Sequence, residues 1–144
     1  MATDAWTGTY EDLPVGATES SSQLIDGAAI DAFAGAIQSF NPIHMDGDWA
    51  RANTPFPDRI AHGVMTTALM SRPLVQFCER WKIRTALLST SSKYIRPVVA
   101  GDTITTTVRL VEKIDDRKRI RFEIESKNQN GEVVMIGEML EQAL

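Results

Sequence analysis

The sequence predicts an α+β domain in which an antiparallel sheet of about five strands curls around one long helix. Three observations predict it. Helical periodicity is confined to the first half of the chain, β-branched alternation fills the second half, and the connections between strands are too short for anything but antiparallel neighbours. At 144 residues the chain has room for a single domain, 1–144, with a full core.

After a polar lead-in, 17–25 reads as a short strand. Asp26 is suited to cap a helix of about a dozen residues, because its carboxylate accepts from N–H groups that lack a helical partner. Ile30, Phe33, Ala34 and Ile37 recur at three- and four-residue steps and give that helix one apolar face. It must end before Pro42. An irregular segment, 41–61, follows; it carries Pro42, Pro55 and Pro57 and a short helix around Trp49. Gly63 then opens the long helix, expected to run to about Trp81. Val64, Ala68, Val75 and Cys78 share one side of it, with Met65 and Leu69 beside them, and Pro73 predicts a kink or a break. Cys78, among Val75, Phe77 and Trp81, reads as a buried thiol.

Strands are expected at 85–98, 103–114, 118–127 and 132–144. Ile104, Thr106, Val108 and Leu110 alternate with Thr105, Thr107 and Arg109, and Ile120, Phe122 and Ile124 alternate with Arg119, Arg121 and Glu123. Ala100-Gly101-Asp102, Asp115-Asp116 and Asn130-Gly131 are the turns.

Composition narrows the function classes. With 15 basic and 19 acidic residues the formal charge is −4, which argues against a nucleic-acid partner. A lone cysteine excludes an internal disulfide and fits a reducing cytoplasm, the expected location. The N-terminus has no basic segment followed by an apolar run, and nowhere are there about 18 consecutive apolar residues, so neither a signal peptide nor a membrane span is expected. The two histidines stand 18 positions apart without a second cysteine, which gives zinc little support. Phosphate-binding glycine loops and a serine nucleophile elbow are absent. No cofactor is expected.

What remains is the stretch 36–63. His44 follows a proline-stiffened turn, and histidine is the side chain whose ordinary pKa best suits proton transfer near neutrality. Ile43, Trp49, Phe56 and Ile60 are placed to line an apolar pocket. Ala61-His62-Gly63 begins a helix, where free N–H groups and a partial positive charge can polarise a carbonyl. Glycine would let a ligand approach that backbone closely; Gly63 reads equally well as a turn residue.

Three motifs share a resemblance. The run from Ala36 through Gln38-Ser39-Phe40-Asn41-Pro42-Ile43-His44 to Asp46 resembles the G-D-x-N-P-[ILV]-H signature of the MaoC-like, or (R)-specific enoyl-CoA hydratase, family. Arg59-Ile60-Ala61-His62-Gly63-Val64-Met65 is similar to that family's I-A-H-G segment. Tyr94-Ile95-Arg96-Pro97-Val98 with Gly101-Asp102-Thr103 resembles its R-F-x-x-P-V-x-x-G-D-T turn, and Asn128-Gln129-Asn130-Gly131 extends the likeness towards the C-terminus. The resemblance implies a hot-dog fold and the addition of water across the double bond of a 2-enoyl thioester, or the reverse. It implies that His44 is the catalytic histidine, Asn41 its neighbouring asparagine and Gly63 the N–H donor to the thioester oxygen, with a structural role for His62. Ser39 stands where the signature has its aspartate. A hydroxyl can orient a water but is no carboxylate base near neutral pH.

The expected activity is therefore a hydratase or dehydratase acting on acyl chains linked to coenzyme A or to an acyl-carrier protein, with Ser39 and Asn41 orienting water or substrate around His44. Lys93, Arg96 and Arg59 are the candidates to meet phosphates. Two alternatives stay open: other thioester chemistry (hydrolysis, isomerisation or carbon–carbon rearrangement) and a non-catalytic acyl-binding subunit. The resemblance also implies pairing, as a homodimer or with a second hot-dog subunit.

Overall fold

The long apolar helix foreseen from Gly63 onward is interrupted, and the interruption has a local cause. In the structure, a computed structural model describing residues 6–144, it forms α4 (Gly63–Ala68) and α5 (Ser71–Trp81). The break falls at Leu69 and Met70, just ahead of Pro73. There the Met70 N–H reaches back only to the Thr67 carbonyl, 3.1 Å away. Pro73 consequently sits in the first turn of α5, where its missing N–H has no intrahelical partner to lose. The opening residues of the polar lead-in, 1–5, lie outside the described residues. Among the described residues no helix is long and apolar enough to cross a membrane.

Ahead of this pair run β1 (Thr18–Ile25), α1 (Gly27–Ile37), α2 (Pro42–Met45) and α3 (Gly47–Asn53). The Asp26 carboxylate caps α1 by accepting from the Ala29 N–H at 2.9 Å. After it come β2 (Thr85–Tyr94), β3 (Asp102–Ile114), β4 (Arg119–Lys127) and β5 (Val133–Ala143). Strand β2 stops short of the expected Val98, ahead of Pro97, which cannot donate to a ladder. The five strands form one antiparallel sheet in the order β1-β3-β4-β5-β2.

One face of the sheet is the core. Val108 pairs with Ile124, and Phe122 with Met139. These residues pack with Met65 of α4, Leu69 and Met70 of the break, and Phe77 and Cys78 of α5 into one cluster. Phe77 meets Phe122 edge-on, ring centroids 5.0 Å apart at 90°. This is the hot-dog arrangement that the resemblance implies. One part of the helical reading is corrected: Val64 and Val75 point away from the core and are 58% and 43% exposed, so the buried stripe runs through Met65 and Phe77 instead. The other face of the sheet carries ion pairs, among them Arg109–Glu123 and Arg121 with Glu112 and Glu138. Strand β2 is an edge bonded only to β5, and its Leu87 and Leu88 are exposed.

Candidate active site

His44 does not lie on an irregular turn but on α2, a single turn of helix that the sequence reading passed over. Asn41 and Pro42 specify it together. The Asn41 Oδ1 accepts from the Ile43 N–H at 3.2 Å as N-cap, and Pro42 occupies the first turn, where its fixed φ is already helical. The last turn of α2 then aims His44 at the chain entering α4.

The His44 Nδ1 lies 2.8 Å from the Ile60 carbonyl. A carbonyl only accepts, so Nδ1 carries the hydrogen and Nε2 keeps its lone pair. Ile60 is fixed in turn by its own N–H to the Ile43 carbonyl at 3.1 Å and by a bridge to Val99. Burial holds the His44 imidazole below the ordinary histidine value; the Ile60 bond works against this and neighbouring His62 works with it.

His62 is buried and stands immediately before α4, without a side-chain bond to the helix start. Its ring stacks on His44, with centroids 3.9 Å apart and planes at 27°, while Phe33 of α1 leans on it at 5.5 Å. Its Nε2 donates to the Ser39 carbonyl at 3.0 Å, and its buried Nδ1 has no partner among the described residues. Ser39 is held from the other side as well. Gln38 adopts a left-handed φ of 59° at the end of α1, which turns the chain so that the Ser39 N–H bonds the Ala34 carbonyl at 3.1 Å.

Gly63 follows directly. It is the first residue of α4, so its N–H has no intrahelical acceptor. The ring of Tyr94 covers its Cα: a Cβ at Gly63 would meet the ring at 3.3 Å. The Tyr94 hydroxyl lies 2.6 Å from the Thr67 hydroxyl, which also donates to Ser92 at 2.9 Å. The sequence motifs include Tyr94 without a place beside Gly63 and do not include Thr67 or Ser92. The available signal was the alternation along β2, which turns Ser92 and Tyr94 towards the helices and Lys93 away.

A histidine with one bonded ring nitrogen beside a helix start is chemically suited to moving a proton next to a polarised carbonyl. The MaoC like domain model matches residues 15–131. The chain belongs to the MaoC-like domain family. Its relatives include a protein named 3-hydroxybutyryl-CoA dehydratase from Methylorubrum extorquens, 35% identical over 91% of this chain and 81% of the relative. An (R)-specific enoyl-CoA hydratase from Rhodospirillum rubrum is 32% identical over 90% of this chain and 87% of its own. Among solved structures, the (R)-hydratase of Aeromonas caviae superposes with a TM-score of 0.84 at 29% identity, covering 92% of this chain and 98% of that one.

Within this MaoC-like domain the remaining candidates scatter. Arg59 is drawn inward: it pairs with Asp31 at 2.7 Å and donates to the carbonyls of His44 and Met45. Arg96 bonds Glu132 at 3.2 Å and the Val133 carbonyl at 3.3 Å. Lys93 lies on the outer face of the sheet, in a hollow of about 660 Å³ shared with Arg109 and Glu123. The three cations therefore do not form one cluster. Trp49 is exposed on α3, and Phe56 is half-buried in the loop after it. A second hollow, about 420 Å³, lies between α5 and β2 and is lined by Leu74, Cys78 and Ile83. Neither hollow is lined by His44, Ser39 or Gly63.

Proposed function

We propose that the chain is a hydro-lyase acting on 2-enoyl thioesters of coenzyme A or of an acyl-carrier protein. The observation that carries this is the free Nε2 of His44, oriented by Ile60, on a ring stacked against the residue that precedes Gly63. In the reading this supports, the thioester oxygen accepts from the Gly63 N–H. The His44 Nε2 takes a proton from water as its oxygen bonds to C3, charge collects on the thioester oxygen as an enolate, and the proton is returned to C2. The balance is one water consumed and one 3-hydroxyacyl thioester formed; dehydration is the reverse.

Ser39 shapes the reading. The resemblance puts an aspartate there, and a positioned base of that kind contributes about 10²–10⁴-fold. With His44 as sole base the chain is a slower hydratase in which Ser39 orients the water. Asn41 supports the geometry mainly through its cap on α2. Of the phosphate candidates, Arg96 is half-exposed at the end of β2 and is the one placed to exchange Glu132 for a ligand phosphate.

Pairing belongs to the same proposal. Exposed Leu87 and Leu88 on the open edge of β2, with exposed Tyr94 and Ile95 at the end of the same strand, form an apolar border that a second copy or another hot-dog subunit would cover.

Hydration of crotonyl-CoA, followed as loss of the conjugated thioester, tests the activity. Wild type turns over, His44→Ala loses about 10²-fold or more, and Ser39→Asp gains. No turnover by wild type across several enoyl thioesters, with turnover gained in Ser39→Asp, would show that hydration is not the native reaction. Mass measurement in solution tests the pairing.

A further inference from the structure

We propose that His62 is a positioning residue: its ring is the platform that fixes the plane of His44, and its Nε2–H anchors the Ser39 backbone to the same platform. The kinetic part of this inference rests on the hydration reading; the rest does not.

The two imidazoles form a clasp. Each uses one nitrogen on a backbone carbonyl of a different segment, His44 on Ile60 and His62 on Ser39, and each presents a face to the other at 3.9 Å. The clasp therefore joins the α1–α2 connection, α2 and the start of α4. A histidine held only by its Nδ1 bond can still swing about that bond. A flat ring beneath it removes the swing and leaves Nε2 pointing in one direction, which is what a proton-transferring group requires.

The surroundings support a role beyond filling space. His62 is 3% exposed, yet its Nδ1 has no partner among the described residues, an arrangement that costs stability and that an apolar ring of the same shape would avoid. What the imidazole adds over such a ring is the donor to Ser39. The anchor is also independent of the side chain at position 39, because it takes the backbone carbonyl.

The charged groups around the pair are engaged elsewhere, so burial is the main influence on His44, with the Ile60 bond opposing it and His62 adding to it. On α1, Phe33 is apolar and Asp31 is occupied by Arg59. The Arg59 guanidinium reaches the His44 carbonyl, not the ring. The Asp46 carboxylate caps α3 through the Trp49 N–H, and Asp58 accepts from the Arg59 N–H. On the β2 side, Tyr94 turns its hydroxyl to Thr67.

The chain has only two histidines, so NMR of the imidazoles resolves both, and His44→Ala assigns them. In wild type the His44 signals show the Nδ1–H tautomer, ring-current displacement from the stack, and a titration midpoint below about 6.5. His62→Phe keeps the face and loses the Ser39 bond, so it retains the displacement and the low midpoint. His62→Asn keeps a donor and loses the face, so the displacement disappears and the midpoint rises above that of wild type as the ring becomes less buried. In crotonyl-CoA hydration His62→Asn loses about 10- to 100-fold in kcat with little change in KM, and its acid limb follows the NMR midpoint. An Asn variant that melts cooperatively and keeps the His44 displacement and midpoint overturns the proposal. So does equal behaviour of the Phe and Asn variants. If His62→Asn does not fold, the inference stands or falls on His62→Phe retaining the His44 signals. Absence of hydration in every protein, wild type included, would count against the hydration reading and leave the spectroscopic test in force.

Discussion

The Arg59 guanidinium meets the Asp31 carboxylate at 2.7 Å, across 28 residues of chain, and the same side chain also holds the carbonyls at the end of α2. A residue expected to meet a ligand phosphate thus ties the histidine-bearing turn to the first helix. Truncation to Ala should cost about 1 kcal/mol in urea unfolding, because part-buried carbonyls lose their donor. The guanidinium bond holds the Asp31 carboxyl below its ordinary value, so this stabilisation is present above the unfolded carboxylate's pKa and fades as pH falls through the lower folded one. The wild-type advantage over Arg59→Ala should shrink in acid. An advantage that grows in acid would contradict the pairing.

Gly137 offers a second test. Paired with Ser92 in the ladder, it lies where a Cβ would stand 2.2 Å from the Ser91 carbonyl oxygen, a backbone atom that cannot move alone. Gly137→Ala should destabilise by about 1–3 kcal/mol and loosen β2 from β5, read as faster amide exchange along 85–94. Unchanged exchange there would mean that the edge strand adjusts freely.

Gly63→Ala separates stability from function. A helix start accepts alanine well, so stability should change by less than about 1 kcal/mol. The added methyl would press on Tyr94, whose ring already lies at contact distance, and shift the helix start. A loss of about 10- to 100-fold in kcat/KM for an enoyl thioester is expected, and full activity would remove Gly63 from the site.

Glu141 is the pH-sensitive element of the core. It is 1% exposed, with one carboxyl oxygen unpartnered, and burial pushes its carboxyl up while a bond from Thr85 opposes the rise. For an acid with a raised folded value, the favourable protonated state is fully present below the unfolded pKa and is lost as pH rises through the folded one. Glu141→Gln should therefore gain stability relative to wild type as pH increases from about 4.5. Denaturant unfolding at acid and neutral pH checks the sign, and a gap that narrows towards neutrality would refute it.

Much of this architecture was legible. The alternation at Ile104 to Leu110 and Ile120 to Ile124 set the buried face of the sheet, because a period of two leaves one choice of side. The Asp26 cap was likewise readable from local chemistry. What escaped depended on contacts between distant residues or on punctuation with two meanings. Pro42 reads in the sequence as a stop for α1, yet behind an Asn it is also a start, the start of α2. The apolar spacing of Val64 and Val75 matched a buried stripe that the break at Leu69 and Met70 rotates elsewhere. His44, His62 and Gly63 were singled out by residue type and motif. Their stacking and the diversion of Arg59 to Asp31 could not be read from spacing, since the partners lie 18 and 28 positions apart.

The spread of these separations also bears on how the molecule assembles. The contacts that build the site are short in sequence: His44 to Ile60 spans 16 residues and Ser39 to His62 spans 23. Closing the sheet is a long-range event, with Ser20 meeting Thr107 across 87 residues. Loop closure of that length is slow compared with local helix formation. The segment carrying the two histidines has its caps and its clasp within reach early, whereas the wall that Tyr94 raises over Gly63 waits for the strands. In refolding, the histidine signals should mature ahead of the β1–β3 ladder, which makes the two imidazoles natural clocks for the first half of the folding reaction.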